Sequence, residues 1–191
     1  MILVTGATGF IGRALVRQLS QTGQQVRVLL RPSPHSPRIP KGVPVEVAVV
    51  SLNDERGVRA ALRGVDEIYH LASAGAQGRR GNLVTTDIEG TRILAQAAKD
   101  AGVQKLIYLS YIGADRASAF PMQKAKGIAE EHIRRSGVPY TIIRSTVVFG
   151  PEDLFTNNLS TCFVPFRSSS PSPTMDAHCC SRYGWRTLLP V

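Results

Sequence analysis

The segment Thr5-Gly6-Ala7-Thr8-Gly9-Phe10-Ile11-Gly12 follows directly on an apolar run that begins at Ile2, and it opens a stretch with helical spacing. Its glycines form the pattern G-x-x-G-x-x-G. Gly6 permits a tight turn, and Gly9 lets backbone N–H groups approach a pyrophosphate with no Cβ in the way. Gly12 lets the helix pack close to the strand. The helix N-terminus then presents unpaired N–H groups and a partial positive charge to phosphate. A glycine pattern alone is a weak signal, but here the strand before it and the helix after it supply the context. The competing reading is a merely tight βα turn.

The rest of the chain continues the alternation. Apolar residues Phe10, Ile11, Ala14, Leu15, Val16 and Leu19 predict a helix over 10–20, stopped by Gly23. Residues 26–30 read as a second strand. Residues 31–42 hold four prolines, which exclude a helix and leave an irregular loop. A third strand is expected over 43–50, a helix over 53–62 with Asn53 or Asp54 at its cap, and a fourth strand over 65–71. A small-residue loop at 72–81 leads into a long helix over 83–101, with Ile88, Ile93, Leu94, Ala97 and Ala98 on its apolar side. A fifth strand at 103–110, a helix at 122–136 ending at Gly137, and a sixth strand from 139 to 144 complete the series. Strands separated by helices imply a parallel sheet, because parallel neighbours need a long return path. The strands are nearly continuous apolar runs, as burial on both faces requires. The expected class is therefore α/β, a doubly wound parallel sheet of Rossmann type.

Composition narrows the function. With 191 residues, 43% apolar and 19% charged, the chain suits one folded domain with a real core. No apolar run approaches ~20 residues, so no transmembrane helix is expected. The first residues carry no basic region or cleavage site, so no signal peptide is expected. All three cysteines fall after residue 160, which argues against a disulfide framework and for a reducing compartment, the cytoplasm. The net charge of +9 favours anionic partners. The basic residues are dispersed and aromatics are few, so a nucleic acid is not expected; a phosphate-bearing cofactor fits.

The end of the second strand selects among dinucleotides. An NAD site usually carries a carboxylate there for the ribose hydroxyls. This chain reads Leu29-Leu30-Arg31-Pro32-Ser33 instead. Arg31 suits the 2′-phosphate of NADP, with Arg13 assisting, so NADP is preferred over NAD. The alternative is that both arginines are solvated surface groups.

Over residues 1–155 these features together resemble the atypical or extended short-chain dehydrogenase/reductase family. The likeness is to NmrA-type proteins, to NAD-dependent epimerases/dehydratases and to the nucleotide-binding accessory subunit of respiratory complex I. The resemblance rests on the glycine loop at 4–12, on Gly64-Val65-Asp66-Glu67-Ile68-Tyr69-His70-Leu71-Ala72, and on Asp87-Ile88-Glu89-Gly90-Thr91, which is similar to an Asn-Val-x-Gly-Thr segment. Lys105-Leu106-Ile107-Tyr108-Leu109-Ser110 and Ile143-Arg144-Ser145-Thr146-Val147-Val148-Phe149-Gly150-Pro151 extend it. The likeness implies that Gly6, Ala7, Thr8, Gly9, Phe10, Ile11 and Gly12 bind the cofactor with Arg31, Leu71, Ala72, Ser73 and Lys126. It also implies that residues 144–146 border the nicotinamide side.

Active members of that family place a Tyr four residues before a Lys. Lys126 is the better match for the Lys, and Met122 stands four residues before it. The other register, Lys124, puts Phe120 in that place. Neither Met nor Phe exchanges a proton, so the standard relay is absent. Ser110 and Lys126 remain as catalytic candidates. Ser110 is either a hydrogen-bond donor to substrate or an ordinary strand-end serine. His70, at the end of an apolar strand, reads as a satisfied core histidine. Glu130 and Glu131 read as a solvated helix face. Cys179 and Cys180 lack metal-site spacing, and no metal is expected.

Residues 156–191 read as an irregular tail; 163–173 alone contain four Ser and three Pro. A sharper reading comes from the genetic code. Reading from the third base of each codon turns the stretch from Met175 into Gly, then Arg or Cys, then a small residue, then two leucines forced at His178-Cys179 and Cys179-Cys180. The frame continues as Trp-Val-Glu-Asp-Val-Ala, open to codon choice, from Tyr183. This resembles the family's own continuation and indicates a frameshift near residue 160–165. The function expected is a nicotinamide-dinucleotide-binding protein, weakly or non-catalytic, acting as a redox sensor or assembly factor. The alternatives are an active NAD(P)H-dependent reductase or epimerase/dehydratase-like enzyme on an unknown small molecule, and a truncated product without function.

Overall fold

A computed structural model describes residues 1–34, 39–40, 42–75, 81–150, 153, 156–157 and 159. Six strands form one sheet: β1 (Ile2–Thr5), β2 (Val26–Leu30), β3 (Glu46–Val49), β4 (Glu67–His70), β5 (Lys105–Tyr111) and β6 (Tyr140–Ser145). Among the described residues four α-helices accompany them: α1 (Phe10–Gln21), α2 (Glu55–Ala61), α3 (Gly90–Asp100) and α4 (Pro121–Ser136). All pairings are parallel, and the strand order is β3-β2-β1-β4-β5-β6. This is the doubly wound Rossmann arrangement. The order reverses between β1 and β4, which opens a crevice at the carboxyl ends of the strands.

The alternation of side chains along β1 explains the two-sided core. Ile2 and Val4 face α1, where they pack with Val16, Val26 and Val28. Leu3 faces the opposite way, into a cluster with Val58 of α2, Leu94 of α3 and Ile133 of α4. Right-handed crossovers put α1 on one face, and α2, α3 and α4 on the other once the chain reverses direction across the sheet. The proline-rich link between β2 and β3 carries no helix in its described part. Ile39, Val43 and Val45 pack against the α1-side cluster in place of one.

Local chemistry sets the element ends. Asp54, not Asn53, caps α2: its carboxylate accepts from the Gly57 N–H at 3.1 Å. Pro121 starts α4, and Gly137, at φ 80°, ends it. The helix expected over 83–101 is interrupted. Val84–Glu89 forms a π-helical turn before α3 begins at Gly90, and this turn rotates Asp87 into the interior. Gly90 permits the close approach of the loop before α2, since a Cβ there would lie 2.9 Å from Leu52 Cβ.

The chain divides into two compact units, Met1–Val147 and Val148–Val191. In the second, the Asp153 carboxylate accepts from the backbone N–H groups of Gly150 and Thr156 at 2.9 and 2.7 Å. The tail expected to be irregular lies largely outside the described residues, and so does the part of it expected to be frame-shifted. Among the described residues, no helix is long and apolar enough to cross a membrane, and β6 borders the sheet with Tyr140 and Ile143 exposed.

Candidate functional site

The glycine turn sits at the switch point. Gly6 has φ +72°, a conformation that side chains disfavour, and a Cβ there would fall 2.7 Å from the Ala72 backbone nitrogen. The turn and the residues that follow β4 are thus in direct contact. Gly12 is packed tighter still: its Cβ would meet the Gly6 carbonyl oxygen at 2.2 Å. The N–H of Gly9 closes the turn on the Gly6 carbonyl at 3.0 Å. Gly9 also caps α1 without any side-chain acceptor, and the first turn of α1 holds no acid. The helix end therefore faces the crevice with its positive pole uncompensated by side chains, as a phosphate site requires. This cradle fits a dinucleotide.

The other expected cofactor residues distribute around it. Ala7 is buried in the α1-side core, so only its backbone faces the turn. Thr8 is exposed, and its carbonyl accepts from Arg13 at 3.0 Å, which holds that guanidinium at the turn. Phe10, Ile11, Leu71, Ala72 and Ser73 are half-buried, and Arg31 is exposed at the end of β2. Arg31 and the Leu71–Ser73 segment flank the turn from opposite sides, β2 and β4.

Beneath the turn runs a buried polar chain. Thr5 Oγ1 lies 2.7 Å from His70 Nδ1, and His70 Nε2 lies 2.9 Å from Thr91 Oγ1. The Ala72 N–H donates to Thr5 Oγ1 at 3.3 Å. His70 is a satisfied core histidine. Burial, with the nearby Lys126 charge, lowers its pKa to about 3 and keeps it neutral. Its ring stacks on Tyr108 with centroids 5.3 Å apart. Burial, with the charges of Asp87 and Glu130, raises the Tyr108 phenol far above its ordinary range. Tyr108 is therefore no proton donor or acceptor at neutral pH.

Lys126 also lies over that ring, with Nζ 4.9 Å from its centroid. The ammonium is 3.1 Å from Asp87 Oδ1 and donates to the Leu109 carbonyl at 3.3 Å. Burial lowers the Lys126 pKa, and Asp87 opposes the shift. The second oxygen of Asp87 accepts from the Ala74 N–H at 2.8 Å. One helical turn earlier, Met122 packs on the loop after β4: a Cβ at Gly75 would lie 2.1 Å from Met122 Cε. Phe120 is exposed at the start of α4. Both positions considered for a phenol are occupied by the non-ionisable side chains seen in the sequence.

Ser110 donates to Glu130 Oε1 at 2.6 Å and is buried. Glu130 is a correction to the sequence reading. It is not on a solvated face but fully buried, held in a fork by Arg144 Nε at 2.9 Å and Arg144 Nη2 at 2.7 Å. Arg134 adds a third partner at 2.6 Å. Burial pushes the Glu130 carboxyl up, but bonds from Arg144, Ser110 and Arg134 outweigh this and hold it below the usual range. Glu131 is only half-buried and pairs with Arg116 and Arg135. Sequence reasoning missed the burial of Asp87 and Glu130. The available signal for Asp87 was its place where the resembled segment carries Asn. For Glu130 the helical register offered only Arg134; the partners that bury it, Ser110 and Arg144, come from β5 and β6. Among the described residues no His, Cys, Asp and Glu cluster suits a metal.

Comparison with known proteins agrees with this geometry. An NAD(P)H-binding family model matches residues 6–152. The chain belongs to that family. The chain is 30% identical over 175 residues to a ceramide reductase of Caulobacter vibrioides, covering 92% of this chain and 53% of that protein. It is 33% identical over 159 residues to the mitochondrial NADH dehydrogenase [ubiquinone] 1 alpha subcomplex subunit 9 of Arabidopsis thaliana, covering 81% of this chain and 40% of that one. A short-chain dehydrogenase/reductase superfamily protein from Agrobacterium tumefaciens, solved with bound NAD, superposes with a TM-score of 0.61 at 30% identity over 75% of this chain and 48% of its own. The chain spans about half the length, or less, of these relatives.

Proposed function

We propose that this chain binds a nicotinamide dinucleotide, NADP in preference to NAD, without turning it over efficiently, and serves as a redox sensor or assembly factor. The observation that carries this reading is Met122, which stands four residues before Lys126, where the family resemblance expects the proton-donating phenol, while the glycine turn is intact. The glycine turn and the N-terminus of α1 hold the pyrophosphate. Arg31, assisted by Arg13, takes the 2′-phosphate, and Leu71, Ala72 and Ser73 form the opposite wall. A bound nicotinamide would supply a hydride acceptor or donor; Met122 and Phe120, the two side chains at the positions where the resemblance expects the phenol, cannot supply the proton that completes a carbonyl reduction. Ser110 does not fill that role, because its proton is engaged by Glu130. The reading is tested by titrating NADPH and NADH into the protein, then following NADPH oxidation with a panel of carbonyls and quinones. Binding without turnover supports it. Steady turnover of any member of the panel overturns it in favour of a reductase, the activity named for the Caulobacter relative. Absence of binding in a folded sample favours a truncated product without function.

The frame reading belongs to the same proposal. The two leucines forced by His178-Cys179-Cys180 support a shifted frame that would restore a longer protein with a substrate region. Sequencing the coding DNA from residue 150 to the stop codon decides this. A single-base insertion or deletion is expected, and an intact frame refutes it.

A further inference from the structure

The two halves of a dinucleotide meet different sides of the switch point. The carboxyl end of β2 would take the adenosine ribose, and the nicotinamide half would then lie on the β4 side of the switch point, toward β5. On that second side the structure contains a lysine, Lys126, whose ammonium has three N–H groups to place. Within the protein it meets an ion-pair partner, one hydrogen-bond acceptor and a ring face. Asp87 Oδ1 is 3.1 Å away, the Leu109 carbonyl is 3.3 Å away, and the Tyr108 ring face is 4.9 Å away. The side chain is 7% exposed and that of Asp87 0%. The π-helical turn aims Asp87 inward, and the Ala74 N–H anchors its other oxygen. This carboxylate is thus fixed from two elements before any ligand arrives.

We infer that Asp87 is a positioning residue that withholds Lys126 from the nicotinamide half of the bound dinucleotide. The inference rests on the dinucleotide-binding reading above. A ligand hydroxyl on this side competes with a buried carboxylate for the ammonium and loses, since a neutral acceptor cannot match a charged one at hydrogen-bond distance. The dinucleotide is then held by its adenosine and pyrophosphate, and the nicotinamide half adds little affinity.

The readout is the ratio of two affinities, NADPH against 2′-phospho-ADP-ribose, which lacks the nicotinamide. General damage to the fold weakens both ligands and leaves the ratio unchanged. Asp87→Asn keeps an acceptor for the Ala74 N–H and removes the charge that holds the ammonium. It is expected to raise the ratio roughly tenfold, the value of one charge-assisted hydrogen bond. A change below about twofold overturns the inference. Lys126→Met keeps the volume, removes the ammonium and tests the same point independently of whether Asp87→Asn folds. It is expected to leave the ratio within about twofold of the parent, and a larger fall overturns the inference. If the unaltered protein binds neither probe, the dinucleotide reading itself fails. If it binds both and Lys126→Met lowers the ratio, only the role of Asp87 fails.

Discussion

Replacing Gly12 by alanine adds a methyl group 2.2 Å from the Gly6 carbonyl oxygen and 2.8 Å from the Ala7 Cα. Both obstacles are backbone, so no side chain can swing aside. Reaching an ordinary carbon–oxygen contact requires α1 to retreat from the turn by about 1 Å. Overpacking of this kind costs about 1–3 kcal/mol, and a backbone obstacle places it at the upper end. For a domain of this size each kcal/mol lowers Tm by about 2–4 °C, so a fall of roughly 6–12 °C is expected. The same retreat withdraws the N–H groups of the first turn from the pyrophosphate, so NADPH affinity falls at least about tenfold. Gly23→Ala is the matched control. Gly23 has φ +73° with nothing within 4 Å of its Cβ. It pays only the left-handed backbone cost, about 1–2 kcal/mol, far from the crevice. Thermal unfolding and NADPH titration of the two variants separate stability from binding. If Gly12→Ala melts within about 2 °C of the parent, or loses no more NADPH affinity than Gly23→Ala, the account of the turn is wrong.

Arg31→Ala is expected to weaken NADPH about tenfold while changing NADH little, because it removes one charge-assisted contact to the 2′-phosphate; equal losses for the two cofactors refute the NADP preference. His70, with its pKa lowered to about 3 by burial and by Lys126, is expected to show ring proton resonances that do not move between pH 8 and 5. The unfolded chain takes up that proton near pH 6.5, so this contribution to stability is complete above pH 6.5 and falls as pH drops toward 3, by about 1.4 kcal/mol per unit. A ring titrating near 6.5 refutes the buried network. Glu130→Gln leaves the Arg144 fork and Ser110 without their shared charge; urea unfolding is expected to show a loss of about 1–3 kcal/mol, reduced from the fully buried case because Arg134 and Arg144 are half exposed. No loss would place Glu130 back among solvated residues.

Much of the fold was readable because its signals are local. Most strands carry apolar runs, and prolines and glycines punctuate them, so among the described residues the six strands and α1, α2 and α4 lie within a few residues of where periodicity indicated. The boundaries moved by a few residues, as at β3, which spans only Glu46–Val49 because the residues before it pack as a link and not as sheet. The π-helical turn at Val84–Glu89 was not readable, since the apolar stripe of 83–101 is compatible with an uninterrupted helix. Periodicity reports which face is apolar; it does not report a one-residue bulge that turns an acid inward.

The glycine spacing, the strand–helix alternation, the absence of a phenol at 122 and the missing carboxylate after β2 belong to the sequence by itself. Each depends on a residue type at a chain position, and no distant contact alters it. Only the tertiary structure decided what the ionisable groups do. Glu130 and Glu131 are neighbours in sequence, yet Arg144 and Ser110 from two other strands bury one while the other stays half-buried with surface arginines. Lys126 became internal because Asp87, 39 positions earlier, meets it across a helix pair. A charge is defined by the dielectric and the partners around it, and these are assembled from segments far apart in the chain.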